Sequence, residues 1–252
     1  MKVELISPTS NPEAIVAAAA KICYSSKDAT QLMENLTPEN IQKFISRLAD
    51  MGHQSPFEHV CYTFSISGVS RTLLAQITRH RIASYSVRSQ RYVDESNFEY
   101  IIPDSIANIP KANQIYIDAM ENIRKSYNEI KDILYQDSID VDDSDSDKKA
   151  KIKLAQEDAR YVLPNATETK MVVTMNARSL LNFFQLRCCQ RAQTEIRTLA
   201  YEMLRLCYEM SPNLFRYAGP SCYHGTCKEG GMSCGRVDEV RRKGDSIRGI
   251  GC

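Results

Sequence analysis

The hydrophobic spacing of this chain changes period along its length, which demands a fold in which helices and strands interleave. Ile41, Phe44, Ile45 and Leu48 recur at i, i+3, i+4 and i+7, the spacing of one helical face, and Gly52 supplies a stop. Shortly after, Tyr62, Phe64 and Ile66 alternate with Thr63 and Ser65, as in a half-buried strand. The alternation returns in Met171, Val173 and Met175, and residues 3–7 read as a short opening strand. Asn11-Pro12 and Thr37-Pro38 each place a capping residue before a proline at the first helical position. Further helices are expected over 70–79, 111–135, 148–162, 179–187 and 193–210. The 111–135 helix would bury Ile115, Ala119, Ile123, Tyr127, Ile130 and Leu134, and the 193–210 helix shows a seam of Ile196, Leu199, Met203, Leu206 and Met210. Asp137 to Asp147 lacks the glycine and terminal glutamate of a calcium loop and reads as a flexible solvated connection.

At 252 residues one large domain is expected, taken as 1–217, with an appendage over 218–252 that is rich in Gly, Cys and basic residues. No run of eighteen apolar residues exists, which argues against a membrane span. The opening apolar run is short and meets Pro8 at once, so a cytoplasmic location is expected. Nine cysteines in that setting should remain reduced.

The net charge of +1 hides an uneven distribution. From His59 to Val93 there is no acid, only Arg71, Arg79, Arg81, Arg88 and Arg91; from Thr169 to Thr194 there is none, with Lys170, Arg178, Arg187 and Arg191. Guanidinium forks without carboxylates suit phosphate or carboxylate ligands. The balanced total favours a small anion over a nucleic acid polymer. The densest part runs Arg79-His80-Arg81-Ile82-Ala83-Ser84-Tyr85-Ser86-Val87-Arg88-Ser89-Gln90-Arg91-Tyr92, a donor array at a helix end.

This segment resembles the signature of the flavin-dependent thymidylate synthases. So do Gly52-His53-Gln54-Ser55-Pro56-Phe57-Glu58-His59, Arg160-Tyr161-Val162-Leu163-Pro164, and Asn176-Ala177-Arg178-Ser179-Leu180-Leu181-Asn182-Phe183 with Leu186-Arg187 following. The order and spacing of all four fit, over residues 1 to about 217. The resemblance implies an α/β fold, a central β-sheet flanked by helices and not a Rossmann domain, in agreement with the absence of Gly-x-Gly-x-x-Gly. It implies reductive methylation of deoxyuridylate (dUMP) to thymidylate (dTMP), with 5,10-methylenetetrahydrofolate as carbon donor and NADPH as reductant through FAD. A homotetramer with sites shared between subunits is also implied.

By the same resemblance, His53, Ser55, Arg79, His80, Arg81, Asn176, Arg178 and Asn182 would bind the flavin. Gln76, Arg79, Ser89, Gln90, Arg91, Arg160 and Arg187 would bind dUMP, and Arg187 would stabilise the ionised uracil ring as the catalytic residue. Ser86 and Val87 depart from the family pattern, so side-chain contacts from them are not carried over. His59 reads as a core histidine. Two rival chemistries arise from the residues. Cys188-Cys189 beside Arg187 could supply a thiolate nucleophile. Cys222, His224, Cys227 and Cys234, with Cys252, could make a zinc-binding module, although the spacing is not that of a standard finger.

Overall fold

The structure, a computed structural model, describes residues 1–250. The period changes become four strands and ten helices among those residues: β1 (Lys2–Pro8), α1 (Pro12–Ile22), α2 (Ala29–Glu34), α3 (Pro38–Asp50), β2 (Cys61–Ser70), α4 (Arg71–Ile77), β3 (Ser84–Val87), α5 (Asp104–Ala107), α6 (Pro110–Ser138), α7 (Asp145–Ala159), β4 (Glu168–Asn176), α8 (Ala177–Arg187), α9 (Thr194–Met210) and α10 (Val237–Arg248). The sheet order is β1-β2-β4-β3. Thr9 donates its amide to Cys61 and the Thr63 and Thr174 hydroxyls meet at 2.9 Å, while the Gly68 amide reaches Glu168 at 2.8 Å. Rising numbers on one strand thus meet falling numbers on the next, so β2 runs antiparallel to β1 and to β4. The α/β expectation holds.

The chain divides into two compact units. The first takes in residues 1–66, 76–85 and 172–250. Its core is the inner face of β2 (Tyr62, Phe64, Ile66), Val173 and Met175 of β4, and the buried faces of α8 and α9. Tyr62, Phe215, Phe184, Phe183 and His80 form a continuous series of edge-to-face rings with centroids 5.0 to 5.9 Å apart. The Tyr62 hydroxyl donates to Ser211 at 2.7 Å, which satisfies the one polar atom of that buried ring. Thr37 caps α3 as expected, its hydroxyl accepting from the Asn40 amide at 3.3 Å, and Gly52 ends it at φ 70°. Asn11 does not cap α1 with its side chain; it adopts φ 48°, a left-handed conformation that asparagine tolerates. His59 is exposed, contrary to its reading as a core histidine, because the turn over Ser55–His59 sends Phe57 inward instead.

The boundary placed at 217 falls inside this first unit. Residues after 217 are not a loose appendage there: Cys222, Tyr223 and Val240 form a small core, and α10 packs on α9. The Arg248 guanidinium is the fastening. It donates to the carbonyls of Phe215, Arg216, Ala218 and Gly244 at 2.5 to 3.2 Å and lies 4.3 Å over the Tyr223 ring.

The second unit takes in residues 67–75 and 86–171. Its main feature is the pairing of α6 with α7. The stripe expected on α6 is only partly used. Tyr127 and Met120 are buried, but Ile115, Ala119 and Leu134 face solvent. The Asp-rich connection is tighter than expected, since α7 starts at Asp145 with a reciprocal cap between Ser144 and Asp147. Lys151 reaches back to Asp140 and Asp143 at 3.1 and 2.7 Å. Arg88 is enclosed by Glu95 at 3.0 Å and Glu168 at 3.3 Å. Burial raises the proton affinity of Glu95, and the Arg88 charge opposes it. No helix among the described residues is long and apolar enough to cross a membrane.

Candidate active site

β4 ends where α8 begins, and this junction builds one side of a cleft of about 750 Å³ in the first unit. Asn176 is the cap of α8, its side-chain oxygen accepting from the Ser179 amide at 2.8 Å. The positive end of an eleven-residue helix therefore opens into the cleft with Asn176, Arg178, Ser179 and Asn182. The opposite side comes from the turn after α4, which contributes Arg79, His80, Arg81 and Ile82. That turn is pinned by the Tyr85 hydroxyl, within 2.7 Å of the Ile77 carbonyl and 2.9 Å of the His80 carbonyl. Burial pushes this phenol up to about 12, so it stays protonated.

The two acid-free stretches thus meet here, and the structure sorts their arginines. Arg178 pairs with Glu58, Arg91 with Glu157 at 2.7 Å, and Arg88 with Glu95 and Glu168. Arg79, Arg81 and Arg187 have no carboxylate within ion-pair distance among the described residues, and all three line the cleft. Three uncompensated guanidiniums in a cleft that also receives a helix N-terminus suit a phosphorylated ligand.

Arg187, at the end of α8, is held by two acceptors. Its Nε donates to Nε2 of His80 at 3.0 Å and its Nη2 to the Gln76 carbonyl at 3.4 Å. Burial and the Arg79 charge lower its proton affinity, but a guanidinium remains charged at any working pH. His80 is pulled down to about 4, by burial first and by Arg187 second, so it is a neutral imidazole. Neutrality is what lets its Nε2 accept from Arg187.

Seven of the residues named from sequence therefore converge: Arg79, His80, Arg81, Asn176, Arg178, Asn182 and Arg187. His53 and Ser55 are exposed on the loop that also carries Gln54 and Glu58, and they do not line the cleft. The Gln76 amide bonds to Gln193, while its backbone carbonyl holds Arg187. Ser89, Gln90, Arg91 and Arg160 belong to the second unit. There the Ser89 hydroxyl accepts from the Arg91 amide at 3.2 Å, and the buried Gln90 Nε2 has no partner among the described residues. Gln54, Glu58 and Ile82 line the cleft without having been singled out. The signal for Glu58 lay in its place within the Gly52-to-His59 element, but nothing in the sequence tied it to Arg178.

Of the two cysteines of the thiolate reading, Cys188 is fully buried, and burial pushes its thiol well up, away from a thiolate, while Cys189 is half-buried and lines a separate pocket with Arg187 and Arg191. No three His, Cys, Asp or Glu side chains among the described residues are grouped to hold a metal, and Cys252 lies outside those residues. A second cleft of about 760 Å³ near Tyr217 and His224 contains Arg248, whose donors are committed to backbone carbonyls.

Similarity to known proteins points the same way. Residues 4–213 match the family model described as thymidylate synthase complementing protein. The chain is 50% identical over 242 residues to a flavin-dependent thymidylate synthase of Clostridium tetani, covering 96% of each chain. It is 46% identical over 244 residues to that of Geobacter sulfurreducens, covering 96% of this chain and 97% of the relative. The crystal structure of the Helicobacter pylori enzyme ThyX, complexed with FAD and dUMP, superposes with a TM-score of 0.64 at 26% identity, covering 87% of this chain and all of that one. With the motifs, the arginine-rich cleft and these relatives in agreement, the chain belongs to the flavin-dependent thymidylate synthases.

Proposed function

We propose that this chain converts dUMP to dTMP, taking the carbon from 5,10-methylenetetrahydrofolate and the reducing equivalents from NADPH through FAD. The observation that carries this is the cleft itself: Arg79, Arg81 and Arg187, none with a carboxylate partner among the described residues, line it together with the capped start of α8. Those residues fit a dinucleotide cofactor, because uncompensated forks and helix-end amides answer its phosphates. FAD, when bound, supplies hydride transfer. Arg79 and Arg81 would hold the phosphates, and Asn182 and the free amide nitrogen of Asn176 would hydrogen-bond the rest of the cofactor. His53 and Ser55 would approach it from their exposed loop.

Arg187 is the catalytic residue of this proposal. The side of its guanidinium carrying Nε is satisfied by His80 and Gln76, which leaves the Nη1–Nη2 end for the substrate. A fixed planar cation there stabilises negative charge delocalised into the uracil ring and so raises electron density at C5. Gln76, Arg79, Ser89, Gln90, Arg91 and Arg160 complete the proposed dUMP set, with the Arg forks on its phosphate. Ile82 and Leu186, exposed at the cleft rim, favour closure of the site by a further surface, in keeping with a homotetramer whose sites are shared. The expected setting is cytoplasmic, with no nucleic acid polymer or membrane as partner. Residues 1–217 would carry the reaction and 218–252 would brace it.

The test is direct. Protein loaded with FAD should lose its oxidised-flavin absorbance under NADPH in the presence of dUMP. It should then yield dTMP, read by chromatography, when 5,10-methylenetetrahydrofolate is added. Absence of dTMP with all four components present would overturn the proposal.

A further inference from the structure

We propose that His80 is a positioning residue for Arg187: its unprotonated Nε2 fixes the guanidinium so that the Nη1–Nη2 end is presented to the substrate ring. The inference rests on the reading of Arg187 as the ring-facing cation. Arginine has two usable hydrogen-bonding sides. A long side chain free to rotate would offer either of them, in many orientations, and would lose entropy on binding. Here the Nε–Nη2 side is taken up by His80 Nε2 at 3.0 Å and by the Gln76 carbonyl at 3.4 Å.

His80 is itself fixed. Its ring packs edge-on against Phe183, with centroids 5.0 Å apart, and its carbonyl lies within hydrogen-bond reach of Tyr85. Phe183 is fully buried and stands one helical turn before Arg187 on α8, so histidine and arginine are registered against the same helix. The charged groups around His80 are Arg187, facing it from α8, and its chain neighbours Arg79 and Arg81. All are cations; burial first, and the Arg187 charge second, keep the imidazole unprotonated and able to accept. A protonated His80 would offer Arg187 a donor against a donor and turn the fork away.

The test compares His80→Phe, which keeps a ring against Phe183 but has no acceptor, with His80→Gln, whose amide oxygen can take the place of Nε2. Flavin content is measured first for each variant. With flavin retained, His80→Phe should lower kcat by about 10- to 100-fold with little change in KM for dUMP, the signature of a misplaced catalytic group. His80→Gln should recover most of that loss. A readout independent of turnover uses 5-fluorodeoxyuridylate, whose ring N3 ionises near neutral pH with a change in absorbance. Bound to the unaltered protein it should ionise at lower pH than when free. This shift should shrink in His80→Phe and return in His80→Gln. Equal ionisation and equal kcat in all three proteins, with Arg187→Ala inactive, would overturn the role of His80 and leave that of Arg187. An active Arg187→Ala would overturn both.

Discussion

Gly244 is the position where one methyl group should have the largest effect on the C-terminal region. It lies in the middle of α10, and a Cβ built there would sit 2.3 Å from Cε2 of Tyr223, 2.7 Å from Cδ2 and 2.8 Å from Cζ. The ring has nowhere to go. Arg248 lies 4.3 Å from its centroid, the His224 ring 4.0 Å away, and the Tyr223 hydroxyl donates to Asp245 at 2.9 Å. On an exposed helix, Gly→Ala would stabilise by about 1 kcal/mol. Forced overpacking costs about 1–3 kcal/mol, and this clash is at the severe end. Relief requires α10 to back away, which would stretch the bonds from Arg248 to the carbonyls of Phe215, Arg216 and Ala218. The net expectation for Gly244→Ala is a loss of about 1–2 kcal/mol, or a fall in Tm of roughly 2–8 °C. Limited proteolysis should at the same time cut earlier between residues 218 and 250. A variant that melts at or above the parent, with unchanged proteolysis, would show that α10 does not pack on Tyr223 and would refute the reasoning.

Arg187→Ala should abolish dTMP formation while flavin absorbance is retained; undiminished turnover would remove Arg187 from the proposed chemistry. Arg79→Ala should weaken both FAD and dUMP, each by up to about 3 kcal/mol as for charge-assisted hydrogen bonds, measurable by titration calorimetry. Cys188→Ala and Cys189→Ala should each still turn over, and loss of all dTMP formation in either would revive a thiolate mechanism. His80 gives a pH prediction. Its affinity for a proton drops from the ordinary 6.5 to about 4 on folding, so between those values the unfolded chain binds a proton that the folded one does not. Stability should therefore fall as pH drops from 6.5 toward 4 and level off below. The whole shift is on the order of 3 kcal/mol at most, and less after solvent screening of a half-exposed ring. Urea midpoints against pH should show a shallower slope for His80→Gln; parallel slopes would contradict a neutral His80.

The elements with strong apolar periodicity were legible in the sequence, and those that pack by other means were not. α10 rests on Val240, Gly244 and Arg248, spaced four apart. Only one of these is apolar, so no hydrophobic stripe announced the helix, and the region read as an appendage. β3 is four residues long with Ser and Tyr at alternate places, too short to separate from a turn. The half-used stripe of α6 shows the converse, since Ile115 and Leu134 have the right spacing but are exposed. The cleft residues were named through motif resemblance, and charge counting alone could not have sorted them. Arg91 and Arg178 find their carboxylates at Glu157 and Glu58, 66 and 120 positions away, and Arg88 adds Glu168, 80 positions away, to the nearby Glu95. Arg187 looks the same in sequence and finds none among the described residues. Which arginine is spent on structure and which is left for chemistry is decided by long-range contacts that local spacing does not encode.

The anchored fork of Arg187 also bears on inhibitor chemistry. Because His80 and Gln76 hold one side of it in the folded protein, an incoming molecule need not immobilise that side chain. A compound that offers two coplanar acceptors to the open end should keep most of that interaction as affinity. One that offers a single acceptor, or a donor, would waste it. Scaffolds with an ionisable imide or an acylsulfonamide are thus the natural starting points. Their gain should track how acidic the group is rather than how much apolar surface it carries.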